Sequence, residues 1–327
     1  MKILAAMALR LLGAVALSLS FAGTALAQAW PNKPVRIVVP IAPGGTTDLL
    51  ARMLAEALQK STGQTFLVDS KPGAGGSIGS LEVARAAGDG YTLLVATAST
   101  HSVAPAMNPN LRYDPVGDFT PLALLAESNN ILLVTPKLEA KNMRELFATL
   151  RANPGKLNYV SSGIGSYAHL LFELFKLDAG VAITHIPYKG TGATISDLIA
   201  GNVHLAIDAV PTGVPHVKEG RVKGLAVTGP RRSPLAPEIP TIAESGLAGF
   251  AVMSWFGLYA PKGLAPELQK RINEEVVKVF NTPEMTSRFV AMGMEPSRST
   301  AAEFAAMVAA DRARWTTVAK ERNIKVD

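Results

Sequence analysis

The chain of 327 residues contains no cysteine. Disulfides are therefore excluded, and stability has to come from a buried core. No cysteine follows the N-terminal apolar segment either, which excludes a lipid-anchored N-terminus. Beyond that segment no apolar run reaches the roughly 18 residues a membrane span requires. Clustered charge is also missing. The formal net charge is +6, Lys2 and Arg10 supply two units of it, and the other basic residues are scattered, which argues against nucleic acid as a partner. The five histidines, His101, His169, His185, His204 and His216, show no metal-ligand spacing such as H-E-x-x-H, so no metal site is expected. No Walker motif occurs, and no carboxylate pair stands at an interpretable spacing.

What is present begins with an export signal. Lys2 and Arg10 flank an apolar run from Leu11 to Phe21, and Ala25-Leu26-Ala27 gives the small-x-small pattern of a cleavage site. Residues 1–27 are expected to be a signal peptide cleaved after Ala27, leaving an exported, periplasmic chain. At 48% apolar composition, that chain is long enough for one large domain or two smaller ones.

The stretch Val35–Arg52, VRIVVPIAPGGTTDLLAR, organises the rest. An apolar, mostly β-branched run ends at Pro40, and a glycine loop carries Gly44, Gly45, Thr46, Thr47 and Asp48. A helical pattern then starts with Leu49, Leu50, Met53 and Leu54. Glycines admit backbone N–H groups close to a ligand, and a helix N-terminus carries partial positive charge. The loop is thus a seat for a carboxylate or phosphate, unless Asp48 or Thr47 merely caps the helix. Strands near Thr65–Val68 and Tyr91–Ala96, with a helix near Ile78–Ala86 between them, imply a parallel sheet covered on both faces. Ligands of such sheets lie beyond the carboxyl ends of the strands, so Thr97, Ala98, Ser99, Thr100 and His101 should share a crevice with the first loop.

After the irregular segment Ala104–Pro121, a second alternation repeats the plan. Strands are expected at Leu122–Ala126, Ile131–Thr135, Leu157–Val160, Ala182–Pro187, Val203–Ala209 and Val222–Thr228. Helices are expected at Met143–Arg151, after the Ser161–Ser166 loop, and at Ala193–Ala200. The lobes are placed at 28–126 with 229–327 and at 127–228, with the cleft between them. From Phe250 a strand runs to Ala260. Helices follow at Pro266–Phe280, Pro283–Met292 and Ala301–Arg322, the last opened by a Thr300-x-x-Glu303 capping box.

Three constellations could carry chemistry. Gly163-Ile164-Gly165-Ser166-Tyr167-Ala168 fits the dinucleotide fingerprint G-x-G-x-x-A, but the next strand ends Pro187-Tyr188-Lys189 without the required acid. The same geometry suits a small carboxylate on a helix N-terminus. His169, one turn into that helix, is placed to brace the loop. Gly75-Gly76-Ser77-Ile78-Gly79 spells a nucleophile elbow, with Asp208 and His216 in order, yet Pro72 and several residues part Ser77 from the strand end. Asp208 ends a strand and faces either the cleft or a local cap.

Together these residues resemble a known family. WPNKPVRIVVPIAPGGTTD, KPGAGGSIG, NPGKLNYVSSGIGSYAHL, HIPYKGTGATISDLIAGNVHLAIDAV, RSPLAPEIPTIAESG and SWFGLYAPKG look like the tripartite tricarboxylate transporter substrate-binding proteins, the Bug receptors. The resemblance implies an α/β type II periplasmic binding protein fold with two Rossmann-like lobes. It implies a monomeric, non-enzymatic receptor without cofactor. Its ligand would be a small organic carboxylate (a di- or tricarboxylate, an acidic amino acid or an aromatic acid), delivered to a two-component membrane permease. It places Gly44, Gly45, Thr46, Thr47 and Asp48 in one jaw, and Ser162, Gly163, Gly165, Ser166, Tyr167 and His169 in the other. Thr97, Ala98, Ser99, Thr100, His101, Tyr188, Lys189, Gly190 and Asp208 would line the part that selects the substrate. Many members carry Asn after that aspartate; this chain has Ala209. Two other readings remain open: a sensory receptor serving a membrane histidine kinase, and a secreted hydrolase using Ser77.

Overall fold

The computed structural model describes residues 30–188 and 194–324. The expected signal peptide and Lys189–Gly190 lie outside the described residues.

In chain order the first part comprises β1 (Val35–Val39), α1 (Thr46–Thr62), β2 (Phe66–Ser70), α2 (Ser77–Ala84) and β3 (Thr92–Thr97). A π-helical turn, Ser99–Val103, leads into the short α3 (Ala104–Met107), and β4 (Phe119–Ser128) follows. The middle part comprises β5 (Asn130–Val134), α4 (Met143–Ala152), β6 (Asn158–Ser161), α5 (Tyr167–Ala179), β7 (Thr184–Pro187), α6 (Thr194–Ala200), β8 (Leu205–Ala209), α7 (Val210–Lys218) and β9 (Lys223–Val227). The last part comprises β10 (Ser254–Pro261), α8 (Pro266–Phe280), α9 (Pro283–Ala291), β11 (Met294–Pro296) and α10 (Ala301–Glu321).

The strands form two sheets, ordered β11-β4-β10-β3-β1-β2 and β7-β6-β8-β5-β9. Each is built on a parallel trio, β2-β1-β3 in the first and β7-β6-β8 in the second. Each then takes in one antiparallel strand next to the trio, β10 or β5. Both inserted strands begin where the chain passes from one sheet to the other, so the two sheets share one plan.

Sequence dictates this layering. β1, VRIVV, is almost entirely buried, as a parallel strand covered on both faces must be. α1 sends Leu50, Met53, Leu54 and Leu58 into the core and stops at Gly63, whose φ of 73° suits a residue without Cβ. The side chain of Asn142 caps α4 by accepting the Glu145 N–H at 3.0 Å, and Glu145 returns a bond to the Lys141 N–H at 2.8 Å. The Thr300–Glu303 capping box forms as expected.

Some expectations shift. α1 starts at Thr46 rather than Leu49, because Gly45 takes the cap position in an extended conformation. α7 escaped sequence reading because Pro211, Gly213 and Pro215 look like a breaker cluster. Pro211 sits in the first turn, where it removes no hydrogen bond, and Gly213 lets the helix approach Ile131 of β5. α10 belongs to neither sheet alone. Its Phe304 and Val308 join the core beside the first sheet, whereas Trp315, Val318 and Ala319 join the core of the second.

Candidate functional site

A cavity of about 680 Å³ lies between the two sheets. Its walls come from beyond the carboxyl ends of four parallel strands: Thr46 and Thr47 after β1, Thr97–Ser99 at β3, Ser162 and Ile164–Ala168 after β6, and Ile207–Ala209 at β8. The passing strands close the back with Asn130 and Ser254–Phe256. Ile41, Ala74, Gly75 and Ser77 complete one rim, and Ala104, Met107 and Asn108 another.

Two helix N-termini define the polar surface. α1 has no side-chain cap at Gly45, so the positive end of its dipole is open to the cavity at Thr46 and Thr47. α5 is capped by Ser166, whose hydroxyl accepts the His169 N–H at 3.3 Å. Among the described residues no Lys or Arg lines the cavity. An anion here would be held by N–H groups, hydroxyls and water.

Asp208 is the charged side chain of this wall. Its Oδ1 accepts the Ala209 N–H at 2.8 Å, and burial raises its carboxyl above the ordinary range. Thr212, the Ala209 N–H and the nearby His216 pull the other way, and desolvation outweighs them.

Of the residues expected in the site, the structure brings Thr46, Thr47, Ala98, Ser99, Ser162, Gly165, Ser166, Tyr167 and Asp208 together around the cavity. Gly44 and Gly45 are exposed in the loop before α1, outside the cavity lining, and the rest do not line it either. Asp48 is buried, and its carboxylate accepts the Arg52 guanidinium at 2.9 Å and the Gly44 N–H at 3.1 Å. Arg52 thereby holds the carboxyl below its usual range, and the side chain shapes the Gly44–Gly45 loop rather than facing the cavity. Thr100 turns inward, its Oγ1 accepting the Thr97 N–H at 3.1 Å. His101 is fully buried against Phe119 and Tyr259, and burial pushes its imidazole down to about 3. Gly163 belongs to the second loop without lining the cavity, and His169 lies beneath that loop, its Nδ1 accepting the Gly165 N–H at 3.0 Å. Tyr188 points away, its hydroxyl donating to Asp197.

Ser77 lines the cavity but opens α2 after one 3₁₀ turn, Ala74–Gly76, rather than ending a strand. Among the described residues no hydrogen bond joins it to a histidine, so the nucleophile-elbow reading lacks its base. The described residues hold no cluster of three or more potential metal ligands. Asn130 and Ser254, joined by a 3.2 Å bond, were missed by sequence reasoning. The signal was available, since both stand where the chain changes sheets, and such residues face the space between.

The profile of the tripartite tricarboxylate transporter family receptors matches residues 50–324. This chain belongs to that family. BugT of Bordetella pertussis is 35% identical over 97% of this chain and 98% of its own length. Among solved structures, Rpa4515 of R. palustris with adipate is 38% identical, with a TM-score of 0.81 over 90% of this chain and 99% of that one. MatC of Rhodopseudomonas palustris with bound malate is 33% identical, with a TM-score of 0.76 over 88% and 99%. The periplasmic binding protein BugD is likewise 33% identical, with a TM-score of 0.77 over 90% and 99%. The fold is thus that of the two-lobed periplasmic binding proteins, and the family consists of solute-binding receptors rather than enzymes.

Proposed function

We propose that this receptor captures a small organic carboxylate between its lobes and delivers it to a two-component integral membrane permease. The carrying observation is the cavity wall: two helix N-termini and a ring of hydroxyls, with no cationic side chain among the described lining residues. Such a site neutralises a carboxylate by dipoles and N–H donors, and Ile41, Met107, Ile164 and Ile207 offer apolar contact to a carbon chain. The adipate and malate held by two relatives support the ligand class. We assign residues 28–126 and 229–327 to one lobe and 127–228 to the other, with the side chains of α10 packing into both cores. Closure around the ligand would present the permease with a distinct surface.

The test uses protein that has been unfolded and refolded to strip carried ligand. Its melting temperature is measured against a panel of dicarboxylates, tricarboxylates, acidic amino acids, aromatic acids and neutral sugars. A true ligand at a hundredfold excess over its dissociation constant stabilises by about 2.7 kcal/mol. A shift with carboxylates alone is the expected result; a shift with sugars alone, or none across the panel, overturns the reading.

A further inference from the structure

We propose that His169 and His185 form a stacked imidazole pair that holds the loop 162–166 in its ligand-gripping shape, and that protonation of His169 releases the loop and weakens capture. This rests on the carboxylate-receptor reading of the cavity.

The two rings lie 4.0 Å apart between centroids and 11° from parallel. Each carries part of the loop. His169 Nδ1 accepts the Gly165 N–H at 3.0 Å, which requires a bare Nδ1 and therefore the neutral ring. His185 Nε2 lies 2.7 Å from Ser161 Oγ, and that hydroxyl accepts the Gly163 N–H at 3.2 Å. Gly163, with φ of 141°, and Gly165, with φ of 75°, are the two positions at which the loop takes its unusual course. Both are thus held from below by an imidazole, one directly and one through a serine. Ser162 and Gly165 are also part of the cavity wall.

The surroundings set the direction of the switch. From α5, Glu173 and Lys176 face the pair, joined to each other at 2.6 Å. From β6, Tyr159 stacks on His185 at 4.8 Å and donates its hydroxyl to Glu173 at 2.6 Å. From beyond α10, Arg322 comes within 3.6 Å of Glu173. The Glu173 charge is therefore shared among a lysine, an arginine and a phenol, and little of it is left to stabilise an imidazolium. Burial lowers His169 below the ordinary imidazole range against the pull of Glu173, and burial with the neighbouring His169 brings His185 down to about 4. Both rings are neutral at neutral pH. When His169 takes a proton, its charge, one ring-stacking distance away, disfavours a second proton on His185. A protonated Nδ1 then meets the Gly165 N–H donor to donor, and the bond is lost.

The first measurement needs no ligand. Imidazole ¹⁵N spectra of the whole protein should show His169 as the Nε2–H tautomer near neutral pH, and the Gly165 amide should titrate together with the His169 ring. An Nδ1–H tautomer, or a Gly165 amide indifferent to that titration, overturns the proposal. The second measurement is calorimetry with adipate and with malate near pH 7.5 and at the acid pH where the ring spectra show His169 protonated. Wild-type protein should lose about fivefold more affinity on acidification than His169→Asn, which offers a non-titrating acceptor in the place of Nδ1. His169→Phe keeps the ring without the acceptor; it should weaken binding near pH 7.5, with Asn recovering most of the loss. Equal acid losses in wild type and the Asn variant also overturn the proposal. If neither acid binds wild-type protein, the calorimetry uses the carboxylate that shifts the melting temperature; if no carboxylate of the panel does, the receptor reading is what fails, and the ring spectra still decide the histidine pair.

Discussion

Asn129 Oδ1 accepts the backbone N–H of Gly229 at 2.6 Å, so the two passages of the chain between sheets are tied together by one buried side chain. The same amide donates from Nδ2 to the Arg231 carbonyl at 3.1 Å. Beside it, Asn130 and Thr228 exchange a backbone bond at 2.9 Å and a hydroxyl bond at 3.2 Å. The four bonds hold the two passages in register.

Asn129→Leu removes both bonds and leaves the buried Gly229 N–H and the Arg231 carbonyl without this partner. The expected cost is about 1–3 kcal/mol, read as a lower urea midpoint at unchanged slope.

Gly257 of β10 lies directly under Phe304 of α10, and a Cβ at this position would collide with the ring. Gly257→Ala should destabilise by about 1–3 kcal/mol. Phe304→Leu in the same chain should recover part of that loss, a coupling that a double-mutant cycle in urea measures directly.

Trp315 is fully buried, with its ring 5.5 Å from that of Tyr167 in an edge arrangement. Trp315→Ala should cost about 3–5 kcal/mol and detach the carboxyl half of α10 from the second sheet. Limited proteolysis should then cut within 312–321 before it cuts elsewhere.

Gly45 has open space around it, the nearest atom to an added Cβ being Ile41 Cδ1 at 3.7 Å. Gly45→Val should therefore keep the fold, with a melting temperature close to wild type. Its branched side chain at the open end of α1 should weaken carboxylate binding by about tenfold, or roughly 1.4 kcal/mol, in calorimetry.

Asp208 carries a pH signature. Burial raises its carboxyl above the ordinary 3.8, so the folded state holds this proton more tightly than the unfolded chain does. That contribution is present below 3.8 and is lost as pH rises through the raised value. At neutral pH the ionised group is a net cost. Asp208→Asn keeps an acceptor for the Ala209 N–H without the charge, so its melting temperature should exceed wild type at neutral pH. The gain should vanish at pH values below 3.8.

Strands with both faces buried, such as Val35–Val39 and Ile131–Val134, were legible because continuous β-branched and leucine runs have few other uses. The two glycine loops were legible because each stands between such a strand and an amphipathic helix. What sequence could not give was direction. Asp48 and Thr46 are two residues apart in one motif, yet one carboxylate turns back onto Arg52 while the other residue faces the cavity. Likewise Tyr188 turns to Asp197, a partner nine residues away that no local pattern marks. The π-helical turn at Ser99–Val103 was also invisible, since T-A-S-T-H-S has neither helical periodicity nor a breaker.

The position of β10 in the first sheet has a consequence for how the protein comes into being. The second sheet is made from one unbroken stretch, Asn130–Val227. The first is not: β3 and β4 never pair with each other, and both wait for residues 254–261 to arrive between them. A chain that emerges amino end first thus completes its second sheet while the first is still two fragments with open edges. Open edges invite pairing between molecules. The interval between the appearance of β4 and that of β10 is therefore when this protein is most exposed to aggregation, and a truncation before Ser254 would prolong that interval indefinitely.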